Sequence, residues 1–139
     1  MSETLRTERL AALFSDAQAA AENSYSPYSR FRVGAALLLT NGQVVTGTNV
    51  ENLSYGLTIC AERSAVVRAI AEFGPQVRIA AIAVANLNGG ACSPCGACRQ
   101  VIAEFADADA PVLFPVAEGI KTTKVAQILP FGFEADLKK

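Results

Sequence analysis

Three cysteines and one glutamate stand at spacings that could bind a metal ion and use it. Cys95 and Cys98 are three residues apart, so on a helix their side chains would share one face and could bind a single tetrahedral ion. Cys60 is followed two positions later by Glu62, whose carboxyl group is able to move protons. Thiolate ligands favour zinc. These residues predict a catalytic zinc site with its own proton carrier.

The order of these residues makes the prediction more specific. A ligand-x-Glu segment beginning at Cys60, followed far downstream by Pro-Cys-x-x-Cys beginning at Pro94, is the signature of zinc-dependent deaminases that act on nucleobases. Three protein ligands leave the fourth tetrahedral position for water, whereas a structural site closes it with a fourth side chain. The chain has no histidine, so Cys92 is the remaining soft ligand. We expect Cys92 to point away from the metal, because it precedes the predicted helix cap Ser93.

The Glu62 carboxyl group can reach the open fourth coordination position of the zinc only if the ion lies beyond the N-terminal end of the helix that begins at Cys60. Residues two apart on a helix do not otherwise face each other. Such a position also stabilises thiolates, since helix N-termini lower the pKa of nearby thiols. Three thiolates would leave the site negatively charged. Arg63, three residues after Cys60, is placed to donate hydrogen bonds to the sulfur atoms and withdraw charge from them.

The surrounding pattern predicts the elements that position these residues. Apolar residues at helical spacing predict an amphipathic first helix, namely Leu10, Leu13, Phe14, Ala17, Ala20 and Ala21. Two strands, 31–39 and 44–48, are joined by the turn Asn41-Gly42. The pattern further predicts a helix over 60–73, a buried strand over 79–85, a short helix capped by Ser93, and a strand over 111–116. Pro115 favours an edge position or a short length for that last strand. This order predicts an α/β fold with a mixed sheet covered by helices.

Composition restricts the partners of the protein. Twelve basic and thirteen acidic residues give a net charge of -1, without the basic stripe that a nucleic-acid ligand requires. We therefore expect a small-molecule substrate. Hydrophobic residues form 51% of the 139 residues, which suggests that some apolar surface is buried between subunits of a single-domain protein.

Membrane insertion and secretion are not indicated by the sequence. No eighteen apolar residues follow one another, and the first ten residues lack the apolar core of a signal peptide. Four cysteines in a reducing compartment are better explained by metal binding or catalysis than by disulfides. We expect a cytoplasmic protein.

From Tyr25 onward, nearly the whole sequence resembles the homotetrameric cytidine deaminase family. The matching blocks are Tyr25-Ser26-Pro27-Tyr28-Ser29 with Phe31, Val33-Gly34-Ala35-Ala36, Gly47-Thr48-Asn49-Val50-Glu51-Asn52, Cys60-Ala61-Glu62-Arg63, Pro94-Cys95-Gly96-Ala97-Cys98-Arg99-Gln100 and Leu129-Pro130. The resemblance implies one domain over residues 1–139, a three-layer α/β/α sandwich around a five-stranded mixed sheet. It also implies zinc-dependent hydrolysis of cytidine and 2′-deoxycytidine to the uridine nucleoside and ammonia, in pyrimidine salvage.

The resemblance assigns roles to individual residues. It implies that Cys60, Cys95 and Cys98 bind Zn²⁺, that Glu62 shuttles protons, and that Arg63 balances charge. Nucleoside contacts would come from Phe31, Asn49, Glu51, the backbone of Ala61, and two residues reaching a neighbouring subunit's site, Tyr55 and Phe133. Phe131 and Phe133 are both candidates for stacking on the base. The plainer alternatives are a solvated loop for Asn49 and Glu51, an ordinary solvated helix face for Glu62 and Arg63, and a core position for Phe31.

The sequence is also compatible with three rival functions. A blasticidin S deaminase would share the zinc motifs. A polynucleotide or tRNA deaminase would have His-x-Glu at the Cys60 position and a basic surface. A zinc-stabilised interaction module without turnover would use Cys92 as a fourth ligand.

Overall fold

The first helix is longer than its apolar pattern suggests. The computed structural model describes residues 2–133, and α1 runs from Glu3 to Ala21. It begins before Leu10 because the Ser2 hydroxyl accepts a hydrogen bond from the Leu5 N–H at 3.1 Å and caps the helix. Its buried side chains are those that the spacing predicts to face the core, including Leu13, Phe14, Ala17 and Ala21.

Five strands form one mixed sheet, as expected. They are β1 (Val33–Leu39), β2 (Val44–Thr48), β3 (Ile79–Asn86), β4 (Pro111–Val116) and β5 (Gly119–Lys124). The spatial order is β2-β1-β3-β4-β5, with β3 and β4 parallel and every other neighbouring pair antiparallel. The predicted hairpin of β1 and β2 is confirmed, although β1 starts two residues later than expected. Arg30, with φ of 60°, turns the chain just before it.

Two strands differ in detail from what the residue pattern indicated. β4 lies inside the sheet between β3 and β5, not at an edge. Pro115 is accommodated because the pairing of β4 with β3 ends at Leu113, and the Pro115 carbonyl accepts a hydrogen bond from the Cys92 N–H at 3.0 Å. The edge strand β5 was not identified from the residue pattern, since it is polar and mostly exposed.

Helices cover both faces of the sheet and produce the predicted three layers. On one face α1 packs through Leu13, Phe14 and Ala17 against small side chains of β1 and β3, with Leu113 of β4. On the other face α2 (Ala61–Phe73) and α3 (Gly96–Phe105) pack over the larger core, which includes Leu37, Ile82 and Val112. A short 3-10 helix (Tyr55–Leu57) and α4 (Val125–Ile128) complete the elements. Within residues 2–133, no helix is long and apolar enough to cross a membrane.

One glycine sets the distance between the sheet and the helix that follows Cys60. A Cβ atom added to Gly47 in β2 would lie 2.4 Å from the Ala65 nitrogen and 2.8 Å from the Ala61 carbonyl oxygen. Real Cβ atoms do not approach backbone atoms so closely. The absence of a side chain at Gly47 therefore allows α2 to rest directly on β2.

Candidate metal centre and active site

Three thiols meet where two helices begin. Cys60 is the N-cap of α2, Cys95 is the N-cap of α3, and Cys98 lies in the first turn of α3. The Sγ atom of Cys95 lies 3.8 Å from that of Cys60 and 3.4 Å from that of Cys98, and all three sulfurs are within 4.8 Å of one another. Residues 35 positions apart in the sequence thus form one cluster.

The cluster fits a tetrahedral zinc ion. Zinc–sulfur bonds of about 2.3 Å at tetrahedral angles would separate two ligand sulfurs by about 3.8 Å. The observed separations are close to this value, so little movement would be required to bind the ion. Soft thiolate donors are also the ligands that zinc prefers. The residues present therefore fit the predicted cofactor.

The helix boundaries differ slightly from the expectation. α3 begins at Gly96, two residues later than predicted, and its N-cap is Cys95 in place of Ser93. α2 begins at Ala61, after Cys60. Both cysteines have extended backbone angles and neither side chain caps its helix with a hydrogen bond. Their sulfur atoms remain available for the metal, next to two positive helix ends that favour thiolates.

Arg63 interacts with the sulfur of Cys60, as the three-residue spacing predicted. Its Nη2 lies 3.5 Å from the Cys60 Sγ. A hydrogen bond from the Cys98 thiol and those from Arg63 and Cys95 lower the pKa of Cys60 well below its ordinary value, against the opposing effect of burial. Among the described residues, the Nε of Arg63 is buried without a hydrogen-bond partner. Arg63 thus places a positive charge beside the thiol cluster and keeps one donor unused.

Glu62 is a buried carboxyl group at the start of α2, with 4% of its surface exposed. Burial, reinforced by the charge of Cys60, raises the pKa of Glu62 to about 7. A group that titrates near neutral pH can both accept and release a proton during a reaction. This burial contradicts the alternative of an ordinary solvated helix face.

Cys92 lies outside the thiol cluster. In the described part of the chain, the group of side chains within 4.8 Å of one another contains Cys60, Cys95 and Cys98 only. Cys92 instead packs against the apolar core, and burial raises its pKa to about 11. This placement agrees with the expected orientation of Cys92 and leaves three sulfur ligands for the metal.

Asn49 and Glu51 are held beside the cluster by backbone pairing. Val50, between them, exchanges two backbone hydrogen bonds of 2.9 Å with Ile59, the residue before Cys60. Both polar side chains are only 8% exposed, so they do not belong to a solvated loop. The short segment 49–51 is therefore fixed against the residue that precedes Cys60.

The amide of Asn49 has a defined orientation. Its Oδ1 accepts hydrogen bonds from the Ser24 hydroxyl and from the Val33 N–H, the latter at 3.0 Å. Its Nδ2 donates to the Phe31 carbonyl at 2.8 Å. One N–H of the amide remains for a ligand.

Phe31 is fixed on both sides by a residue that sequence reasoning did not single out. The Asn88 side chain accepts a hydrogen bond from the Arg32 N–H at 2.9 Å and donates to the Arg30 carbonyl at 2.9 Å. The Phe31 ring lies against Gly90 and packs at the margin of the core. Phe31 is thus partly a core residue, as the plainer alternative held, with one part still exposed. Ala61, the first residue of α2, is fully buried.

The two residues expected to reach a neighbouring subunit are exposed in the single chain. Tyr55 is 70% exposed and packs edge-on against Tyr28, with ring centroids 5.9 Å apart. Phe133 is 80% exposed and Phe131 is fully exposed. The structure therefore does not bring Tyr55 and Phe133 together with the thiols of their own chain through any described contact.

Two residues directly after the last cysteine were missed as positioning groups, although the matched motif contains them. Arg99 donates to the Pro94 carbonyl at 2.6 Å and to the Ile128 carbonyl at 3.1 Å. The amide of Gln100 donates to the Phe133 carbonyl and accepts from the Phe133 N–H, both at 3.1 Å. Polar residues on an otherwise apolar short helix were the available signal. They connect the cysteine-bearing helix to the C-terminal aromatic segment.

Comparison with known families gives a match over most of the chain. Residues 7–114 match the family model described as the cytidine and deoxycytidylate deaminase zinc-binding region. A cytidine deaminase of Halalkalibacterium halodurans is 47% identical over 125 residues, covering 89% of this chain and 93% of the relative. A cytidine deaminase of Mycobacterium tuberculosis is 45% identical over 121 residues, covering 87% of this chain and 86% of the relative.

Solved structures agree with the sequence match. The crystal structure of cytidine deaminase from Burkholderia pseudomallei aligns with a TM-score of 0.80 at 41% identity, covering 96% of this chain and all of the other. The Mycobacterium tuberculosis enzyme aligns with a TM-score of 0.80 at 40% identity, covering 91% of this chain and 98% of the other. The similarity extends over most of the length of both chains.

Proposed function

The chain belongs to the cytidine and deoxycytidylate deaminase family, and from this membership we propose that it hydrolyses cytidine and 2′-deoxycytidine to the corresponding uridine nucleoside and ammonia. The observation that carries the proposal is the thiol cluster of Cys60, Cys95 and Cys98 beside the buried carboxyl group of Glu62. Such a site has both a place for zinc and a proton carrier.

Cys60, Cys95 and Cys98 would hold the zinc ion. When bound, zinc supplies a Lewis acid that makes a water molecule nucleophilic near neutral pH. Arg63 donates to the sulfur of Cys60 and withdraws negative charge from the ligand set. This matters because three thiolates would otherwise weaken the acidifying effect on the water.

Glu62 moves the protons of the reaction. Its carboxylate takes a proton from the attacking water and delivers it to N3 of the cytosine ring, which makes C4 more electrophilic. The same carboxylate then takes the proton of the hydroxyl group formed on C4 and gives it to the amino group; the C4–N bond breaks, ammonia leaves, and the C4 oxygen becomes the carbonyl of the uridine product. A pKa of about 7 matches the requirement that Glu62 both accept and donate a proton near neutral pH.

Asn49 and Glu51 bind the hydroxyl groups of the sugar. Asn49 contributes its free N–H and Glu51 an acceptor oxygen, both on the segment paired with Ile59. Phe31 contacts the pyrimidine ring, and the backbone at Ala61 contacts its polar edge. These groups select a nucleoside because a ligand without sugar hydroxyls would leave buried polar groups of the site without hydrogen-bond partners. Leaving them unpaired would reduce the free energy of binding.

We further propose a homotetramer in which Tyr55 and Phe133 enter the site of a neighbouring subunit. Their exposure in the single chain supports this, as do Leu53, Leu57 and Val67, which are 81%, 66% and 60% exposed. Covering such side chains at a subunit interface would be favourable, because it removes apolar surface from water. Residues 1–139 would form one deaminase domain, acting in the cytosol, where the free thiols stay reduced.

The test is an ultraviolet assay of the purified, zinc-analysed protein on cytidine, 2′-deoxycytidine, cytosine and blasticidin S. We expect loss of cytidine absorbance with about one zinc ion per chain. Turnover of blasticidin S alone would assign the protein to that rival activity. Bound zinc without turnover of any compound would leave only an interaction module.

A further inference from the structure

The carboxylate of Glu51 is held by a single turn of the chain. Its Oε1 accepts hydrogen bonds from the backbone N–H groups of Tyr28 and Ser29, at 2.9 and 3.1 Å. Its Oε2 accepts a hydrogen bond from the Ser29 hydroxyl. Both oxygens therefore have fixed partners before any substrate arrives. Of the roughly four acceptor positions of a carboxylate, three are used and one remains.

The direction of the Ser29 hydrogen bond is fixed by a second contact. The Phe31 N–H donates to the Ser29 oxygen at 3.0 Å. A serine hydroxyl has one proton, and an N–H can only donate, so the hydroxyl proton is directed to Glu51. Ser29 consequently links the carboxylate of Glu51 to the backbone of Phe31.

The backbone donors and the hydroxyl donor have different effects on Glu51. The two N–H groups bind one oxygen, around which the carboxylate could still rotate. The Ser29 hydroxyl binds the other oxygen and stops this rotation. The remaining acceptor position on Oε2 then has a single fixed orientation. Such preorganisation reduces the conformational entropy that is lost when a ligand binds.

We propose that Ser29 is a positioning residue for sugar recognition, whose hydroxyl orients the Glu51 carboxylate to accept a hydrogen bond from a hydroxyl group of the nucleoside sugar. The inference rests on the proposed role of Glu51 as a sugar contact. Ser29 acts through Glu51, so its effect must depend on whether the substrate has sugar hydroxyls.

The experiment compares Ser29→Ala with the unaltered protein on cytidine and on 2′,3′-dideoxycytidine, which lacks both hydroxyls. Ser29 is exposed, so loss of its hydroxyl should leave the fold intact, as thermal unfolding would verify. We expect kcat/KM for cytidine to fall about five- to tenfold through KM, with kcat little changed. For the dideoxy substrate, the change should be less than about twofold.

Ser29→Thr is the matched control because it keeps a hydroxyl on the same atom. It should retain most of the efficiency of the unaltered protein on cytidine. Equal losses on both substrates in Ser29→Ala would show a merely structural role and overturn the proposal, as would no loss on either. A threonine variant as impaired as the alanine variant would also overturn it.

Glu51→Gln separates this proposal from its premise. If Glu51 binds the sugar, this variant loses much more efficiency on cytidine than on dideoxycytidine, whatever Ser29 does. Equal losses would contradict the role of Glu51 and the proposal with it. No deamination of either nucleoside by the unaltered protein would instead contradict the proposed function.

Discussion

The sulfur atoms of Cys60 and Cys95 lie 3.8 Å apart, although each residue is the N-cap of a different helix. N-caps are usually Ser, Thr, Asp or Asn, whose side chains satisfy free N–H groups of the first turn. Neither cysteine side chain does so here. The two helices thus give up side-chain caps and direct both sulfurs and both positive helix ends to one point.

Replacing one of these sulfurs should remove the metal without removing the fold. Cys95→Ser restores a good helix cap but loses a soft ligand, so we expect a folded protein with little zinc and no measurable turnover. Metal analysis together with circular dichroism tests this. Cys92→Ala is the matched control, and it should retain about one zinc ion per chain. Loss of zinc in the control would instead make Cys92 a fourth ligand.

Glu62→Gln should separate metal binding from proton transfer. The amide has nearly the same size as the carboxyl group but cannot carry a proton between water, N3 and the leaving amine. We expect kcat to fall about 10²- to 10⁴-fold while the zinc content stays unchanged. Steady-state rates and metal content measured on one preparation decide the point. Near-native turnover with bound zinc would remove Glu62 from the mechanism.

The hydrogen bonds to Glu51 should make stability depend on pH. The Ser29 hydroxyl, with the N–H groups of Ser29 and Tyr28, lowers the pKa of Glu51 below its ordinary value of 4.5. For a carboxyl group with a lowered folded-state pKa, the stabilisation is fully present above the ordinary value and is lost as pH falls through the lowered one.

Urea unfolding of the unaltered protein and of Glu51→Gln from pH 7 to pH 3 measures this dependence. The variant should be less stable at pH 7, and the difference should shrink as the pH falls below the ordinary pKa of 4.5. A difference that stays constant over the range would mean that the ionised form of Glu51 makes no special contribution.

The thiol cluster was predictable from sequence because the motifs that indicate it are each only a few residues long. Cys-x-x-Cys and Cys-x-Glu each lie within a few residues, and the spacing of Arg63 from Cys60 predicted the contact at 3.5 Å. Apolar periodicity likewise predicted the order of helices and most strands. Exact helix starts were missed because cap positions depend on where the sulfurs must lie, not on the residue types alone.

The residues that fix the backbone around Phe31 and at Phe133 were not predictable in the same way. The contact of Asn88 with the backbone around Phe31 joins positions 58 and 56 residues apart. The pairing of Gln100 with Phe133 spans 33 residues. Hydrogen bonds from a side chain to a distant backbone leave no periodic pattern in a single sequence. The polar edge strand β5 was missed for a related reason, since it has no apolar alternation.

The two C-terminal phenylalanines should differ in their effect on substrate binding. Gln100 pairs with both backbone groups of Phe133, which fixes its position, whereas Phe131 is fully exposed with φ of 57°. We therefore expect Phe133→Ala to raise KM for cytidine about five- to tenfold through lost stacking, and Phe131→Ala to have a smaller effect. Gln100→Ala should raise KM in the same direction as Phe133→Ala. The opposite order of the two phenylalanine variants would assign the stacking role to Phe131.

Gly47→Ala should displace α2 from β2 and thereby disturb the metal centre at the start of α2. The new methyl group would meet the Ala65 nitrogen at 2.4 Å and the Ala61 carbonyl at 2.8 Å, so α2 must move away from β2. Overpacking against backbone costs about 3 kcal/mol or more, which corresponds to a Tm lower by roughly 10 °C. Because α2 begins beside Cys60, zinc affinity should fall as well.

Gly56→Ala is the matched control, since a Cβ there has no atom within 4 Å. Calorimetry and zinc titration of both variants test the link, and an unchanged zinc affinity in a destabilised Gly47→Ala protein would show that the site tolerates displacement of α2.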